Sequence, residues 1–123
     1  MDLSGIFKDY GVGVMATSSA AGYVNTAVYA RPRVIDESTL VWGMTEGRTF
    51  RNIKENPHAS YLFKTAAPGF SGIRIDLELI RTEESGEMLK AIQKNSSEVV
   101  GPGAGLAVTH AAWFRIVATR ALI

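Results

Sequence analysis

Apolar and polar residues alternate through Ile73, Arg74, Ile75, Asp76, Leu77, Glu78 and Leu79, the period of two that predicts a strand with one buried face. Val12 to Thr17 and Tyr23 to Ala30 are also strand-like, joined through Ser18-Ser19-Ala20-Ala21-Gly22, a hairpin loop by composition. Arg33 to Ile35 and Thr39 to Met44 flank a second hairpin at Asp36-Glu37-Ser38, and Pro32 marks a strand edge or break. Ala59 to Lys64 reads as a strand, followed by a Pro68-Gly69 loop, and Leu106 to Thr119 as one long strand or two short ones. Helical spacing is confined to three short stretches. Leu3, Ile6, Phe7 and Tyr10 share one side of a helix ended by Gly11; residues 49 to 55 form a second; Ser85 caps a third that carries Met88, Leu89 and Ile92. Six or so hairpin-linked strands with short helices predict a mainly β domain, a small antiparallel barrel spanning residues 1–123.

Composition narrows the chemistry. The 123 residues are 46% hydrophobic and 20% charged, as expected of one globular domain that buries roughly 65% of its unfolded surface. A formal charge of +1 is too small for the broad basic field of a nucleic-acid binder. No apolar run approaches the ~20 residues of a bilayer span, and the first residues lack a signal peptide's pattern, so a cytoplasmic protein is expected. There is no cysteine, which excludes thiol redox chemistry and thiolate metal sites. His58 and His110 are too few and too far apart in sequence to suggest a metal cluster.

Thr45-Glu46-Gly47-Arg48-Thr49-Phe50-Arg51-Asn52-Ile53-Lys54-Glu55-Asn56-Pro57 reads as a loop and helix built to receive an anion. Thr49 is a candidate N-cap. The opening N–H groups of a helix lack partners and carry partial positive charge, and Arg48 adds a full charge at that mouth. Phe50 and Ile53 can face a core while Arg48, Arg51 and Lys54 stay in water. An ordinary connector helix with a solvated basic face is the plainer alternative. Gly101-Pro102-Gly103-Ala104-Gly105 lacks the context and the lysine of a phosphate loop and is read as a connection.

Three stretches, Val24-Asn25-Thr26, Gly47-Arg48-Thr49 through Asn56-Pro57-His58-Ala59, and Gly72-Ile73-Arg74-Ile75, resemble the FMN-binding split barrel of pyridoxamine-5'-phosphate-oxidase-like proteins, especially the short FMN-binding type. The resemblance covers the whole chain and is strongest from 11 to 80. It implies a six-stranded antiparallel Greek-key split barrel, FMN at a homodimer interface, and a cofactor phosphate held by Arg48 and Thr49. Thr49 stands where the larger oxidases commonly carry a lysine. The resemblance also implies that the Val24-Asn25-Thr26 strand lies along the isoalloxazine ring, with Trp42, Gly43 and Met44 beneath the cofactor. The Phe70-Ser71 loop or Trp113 of a partner subunit would then close over the flavin. For Trp42, Met44 and Trp113 a place in the core is the alternative, and for Asn25 a bulge or exposed strand position.

Without an Arg-x-His pattern before Ile123, vitamin B6 oxidation is not expected. No paired carboxylates, activated nucleophile or metal set supports hydrolysis, so redox chemistry has to come from a cofactor. The expected function is that of a flavin-dependent oxidoreductase acting on a small molecule or a nicotinamide. A non-enzymatic FMN carrier or electron-transfer protein, and a deazaflavin binder on the same barrel, are the alternatives.

Overall fold

A computed structural model describes residues 3–99, 101 and 103–123. Among these residues, seven strands and four helices follow one another as α1 (Leu3–Ile6), β1 (Gly11–Ser18), β2 (Val24–Val28), β3 (Arg33–Asp36), β4 (Thr39–Met44), α2 (Arg48–Glu55), β5 (His58–Thr65), β6 (Gly72–Glu83), α3 (Glu87–Val99), α4 (Ala104–Ala107) and β7 (His110–Arg120). All strands pair antiparallel in one sheet of order β2-β1-β5-β6-β7-β4-β3.

β2 and β3 are neighbours in the chain and yet occupy opposite edges of this sheet. A flat seven-stranded sheet would hold its edges about 29 Å apart, six spacings of ~4.8 Å. The connection, residues 29–32, reaches at most ~17 Å from Val28 to Arg33. The sheet must therefore curl until its edges approach, giving a barrel that no backbone ladder closes between β2 and β3. Side chains close the split instead. The Tyr61 hydroxyl lies 3.1 Å from the carbonyl oxygens of both Tyr29 and Ala30, and the Trp42 indole N–H donates to Ala30 at 2.9 Å. Arg31 adds bonds to the carbonyls of Phe7, Lys8 and Asp9, fastening the N-terminal helix to the same junction.

The barrel interior is filled by the inward halves of the alternating strands. Met15, Tyr61, Phe63, Ile73, Ile75, Leu77, Leu40, Trp42, Met44 and Phe114 form one core with Phe50 and Ile53 of α2. Gly13 makes room for this packing: a Cβ there would lie 1.8 Å from the Tyr61 hydroxyl. α3 covers the other face of β4 and β7, where Leu89 and Ile92 pack with Val41 and Ala111, and Met88, Val108 and Trp113 join them. Helical spacing placed Met88, Leu89 and Ile92 on that face, as observed.

Four expectations are corrected. The sheet has seven strands rather than six; β3, read as one arm of the second hairpin, is a four-residue edge strand paired on one side only, with a register shift between Val34 and Asp36. The N-terminal helix stops at Ile6 and does not reach Tyr10, which is 80% exposed. α3 starts at Glu87, and the Lys90 N–H donates to Gly86, so Gly86, at φ 107°, precedes the first turn in place of Ser85. The last strand begins at His110, and Leu106 belongs to α4; within the Gly101 to Gly105 stretch, Pro102 lies outside the described residues. The alternation of burial in β6 holds from Ile73 to Leu77, and its register with β7 shifts between Asp76 and Leu77 and again between Leu79 and Arg81.

Candidate functional site

The N-cap of α2 lies two residues before Thr49, the residue read as its candidate. Arg48 is its first residue and Gly47 the N-cap, with no side chain capping the helix and no acidic residue in the first turn. The first N–H groups are thereby left without side-chain partners, an arrangement suited to an anion. Thr49 points inward instead of capping. It is 3% exposed, and its Oγ1 accepts a bond of 3.4 Å from the Asn25 side-chain amide. The Tyr29 hydroxyl also bonds Thr49; burial raises the Tyr29 pKa above 10.0 and this bond partly opposes the rise.

Two clefts of about 400 Å³ each meet at Arg48. The first is walled by Asn25 to Tyr29 on one side and by Gly43, Thr45, Gly47, Arg48 and Thr49 on the other. The second runs between Ser19, Tyr23 and Val24 and the helix residues Arg48, Arg51, Asn52 and Glu55. Both volumes fall in the range of small-ligand pockets, roughly 300–1,000 Å³. Among the described residues, neither the Arg48 nor the Arg51 side chain has a hydrogen bond or an ion pair. Two free guanidinium groups beside an uncapped helix start can take a phosphate through charge-assisted bonds. Titratable side chains in the first cleft are limited to Tyr29 and Arg48, so its walls can bind and orient but hold no carboxylate or imidazole for proton transfer.

The fold brings Asn25, Thr26, Gly43, Arg48 and Thr49 to one cleft and Val24 to the next. Trp42 and Met44 are not there: they are 2% and 0% exposed in the barrel core. Gly43, between them, reaches the cleft from the opposite face of β4, where a Cβ would lie 2.5 Å from Ile92 Cγ2 and 2.8 Å from Val108 Cγ1. Phe70 and Ser71 are exposed beyond β5, beside the end of β1 that pairs Gly11 with Thr65. Asn25 pairs with Thr17 at the other end of β1, so within one chain that loop stands about 20 Å along the strand from the cleft. Trp113 lies against α3, its indole N–H donating to Glu83 at 2.6 Å and the Arg81 guanidinium 4.0 Å above its ring.

Motif spacing missed the supports of the site. Asn52 is buried and donates to Thr17 Oγ1 at 3.1 Å, both on inward faces. The available signal was a polar residue three positions after Thr49, on the helix side that also carries Phe50 and Ile53. His58 and His110 form no metal-binding group among the described residues, and no helix there is long and apolar enough to cross a membrane.

No protein-family model matches the chain, and no curated protein sequence matches it. Solved structures do. An FMN-binding protein from Syntrophomonas wolfei superposes with a TM-score of 0.80 at 21% identity, covering 94% of this chain and 80% of that one. A protein provisionally named a pyridoxamine 5'-phosphate oxidase, from Listeria innocua, gives 0.75 at 19% identity over 98% and 94%. An F420 reductase gives 0.70 at 17% identity over 98% and 97%. The chain has the split-barrel fold of FMN-binding and pyridoxamine-phosphate-oxidase-like proteins.

Proposed function

We propose that the protein is an FMN-binding flavoprotein and acts as a flavin-dependent oxidoreductase on a small molecule or a nicotinamide. The observation that carries this reading is the unpaired Arg48 at the side-chain-free start of α2, on the wall of a cleft whose other side is β2. The residues fit the cofactor's parts. Arg48 and the first helical N–H groups suit the phosphate, with Arg51 one turn further on. The exposed edge of β2 offers backbone groups and the Asn25 amide to a polar ring system, and Thr26 borders the same cleft. FMN, when bound, supplies the one- and two-electron chemistry; the chain binds it, orients it and shields it.

Shielding requires a second copy. Val12, Val24, Val28 and Leu62 are 58%, 81%, 77% and 38% exposed, and the registers align Val28, Val14 and Leu62 across β2, β1 and β5 on the outer face. An apolar row of this kind on a monomer usually marks an interface, and a twofold axis would cover it with the same row of a partner. Val24 and Val28 belong both to this face and to the clefts, so a homodimer would enclose the cofactor where its subunits meet. A partner's Phe70-Ser71 loop could then reach a site that the chain's own loop cannot.

The absorption spectrum of the purified protein, followed by titration of the apoprotein with FMN, riboflavin and a deazaflavin, tests the cofactor. FMN bound in preference to riboflavin supports the reading; preference for the deazaflavin reassigns the ligand on the same cleft; refusal of all three removes it. Anaerobic mixing with NADH and NADPH then separates reductase from carrier, since a carrier is not reduced by either at useful rates.

A further inference from the structure

His110 opens β7 with only 3% of its surface exposed, and the cofactor contacts proposed above make no use of it. Its ring stacks on Phe50 of α2 with centroids 3.8 Å apart and planes 12° from parallel. Its Nε2 is 2.5 Å from Glu46 Oε1. Its Nδ1 is buried without a hydrogen-bond partner and faces Glu84 Oε1 at 4.0 Å. The charged groups around the ring are thus Glu46 from the β4–α2 connection, Glu84 from the β6–α3 connection and, beyond the Phe50 ring, Lys54 with its Nζ 5.7 Å from that ring's centroid. Backbone bonds anchor the same corner, since the Thr109 N–H donates to Met44 at 3.0 Å.

Glu46 stands two residues before Arg48. A carboxylate left free at the start of α2 would compete with a bound phosphate for the same partial charges and for the guanidinium. A neutral imidazole has one N–H; given to Glu46, it leaves Nδ1 with a bare lone pair in a buried position. Protonation makes both nitrogens donors, strengthens the bond to Glu46, offsets its charge, and aims the second N–H toward Glu84.

We propose that His110 is a positioning residue for the anion site, a proton-dependent latch that holds Glu46 aside and neutralises it so that Arg48 is free for phosphate. The inference rests on the reading of the Arg48 cleft as the cofactor's phosphate site. Loss of the ring proton leaves a negative charge two residues before Arg48 and weakens binding of the phosphate-bearing cofactor. By reciprocity, bound phosphate favours the protonated ring.

The test is the dissociation constant for FMN between about pH 5 and 8, the range in which a histidine ordinarily changes charge, in the parent, Glu46→Gln and His110→Gln. FMN's own phosphate ionises near pH 6, but it does so for every variant and cancels in the ratio of parent to Glu46→Gln. That ratio should rise about fivefold or more from the acid to the alkaline end, the lower range of couplings between linked sites. A constant ratio overturns the proposal. Glu46 is exposed, with a 66% accessible side chain, so Glu46→Gln serves even if His110→Gln does not fold. Nuclear magnetic resonance of the apoprotein separates the latch from the cofactor reading: the Gly47 and Arg48 amides should follow the His110 ring titration in the parent and not in Glu46→Gln. Failure of every variant to bind FMN sinks only the cofactor assignment, whereas amides indifferent to the ring titration sink the latch.

Discussion

Asn52 donates its side-chain amide to the Thr17 hydroxyl oxygen at 3.1 Å, a buried bond between residues 35 apart in the chain. It fastens α2 to β1 on the inside of the barrel, one turn beyond the Arg48 and Thr49 that face the cleft. Replacing Asn52 with Ala removes the donor and leaves the Thr17 oxygen buried, which should cost about 1–3 kcal/mol. Urea denaturation measures that loss. FMN affinity should fall with it, because the helix start is no longer held in register with β2. A variant as stable as the parent would mean that Phe50 and Ile53 suffice to seat the helix.

Arg48→Ala should weaken FMN binding about tenfold or more, the loss of one charge-assisted contact of ~1.5–3 kcal/mol. Riboflavin, which has no phosphate, should bind both proteins alike. Fluorescence titration with the two ligands decides it, and equal FMN affinities would move the phosphate away from this helix.

Leu62 lies in the middle of the exposed apolar row, opposite Val14 on β1, and its side chain points away from the core. Leu62→Glu should therefore leave the fold intact and shift the protein from dimer to monomer, with FMN affinity dropping in parallel. Light scattering and flavin titration on the same samples test both parts. Val28→Glu, at the end of the row, should act in the same direction. Dimers that persist in both variants would place the interface elsewhere.

Tyr61 holds the split of the barrel through a hydroxyl that is costly to ionise: burial raises its pKa well above the ordinary 10.0, against smaller lowering effects of Trp42 and Arg31. The unfolded chain ionises this tyrosine near pH 10 while the folded chain does not. Its contribution to stability is thus complete below pH 10 and declines as pH rises from there toward the raised folded value. Denaturation midpoints in the parent should fall in that alkaline window. Tyr61→Phe should lower stability near neutral pH by about 1 kcal/mol, the typical net value of such a hydrogen bond, and flatten the alkaline decline. The same alkaline slope in both proteins would assign the effect to another group, Tyr29 being the first candidate because its pKa is raised by burial as well.

The strands, the turns between them and the apolar side of α3 were legible in the sequence because each depends on residues two to four positions apart. Ile73 to Leu77 shows its buried side by alternation alone, and Met88, Leu89 and Ile92 show theirs by helical spacing. The basic start of α2 was legible for the same reason, since Gly47, Arg48 and Thr49 are adjacent and the basic residues Arg48, Arg51 and Lys54 recur at helical intervals. β3, four residues paired on one side, was legible through the Asp36-Glu37-Ser38 turn that sets it against β4.

What adjacency does not encode, tertiary structure decided. Whether Trp42 and Met44 face a cofactor or the core depends on which layer covers each face of β4, and Gly43 owes its bare surface to Ile92 and Val108, 49 and 65 positions later in the numbering. Trp113 is drawn to α3 and away from the cleft by Arg81 and Glu83 on β6. Thr49 turns from cap to buried partner because Asn25 of β2 meets it across the cleft. The sequence by itself determined the elements and their apolar sides through short-range periodicity. The short link between β2 and β3, acting on a sheet that sets them at opposite edges, curls the barrel and thereby decides which of the candidate residues share a cleft.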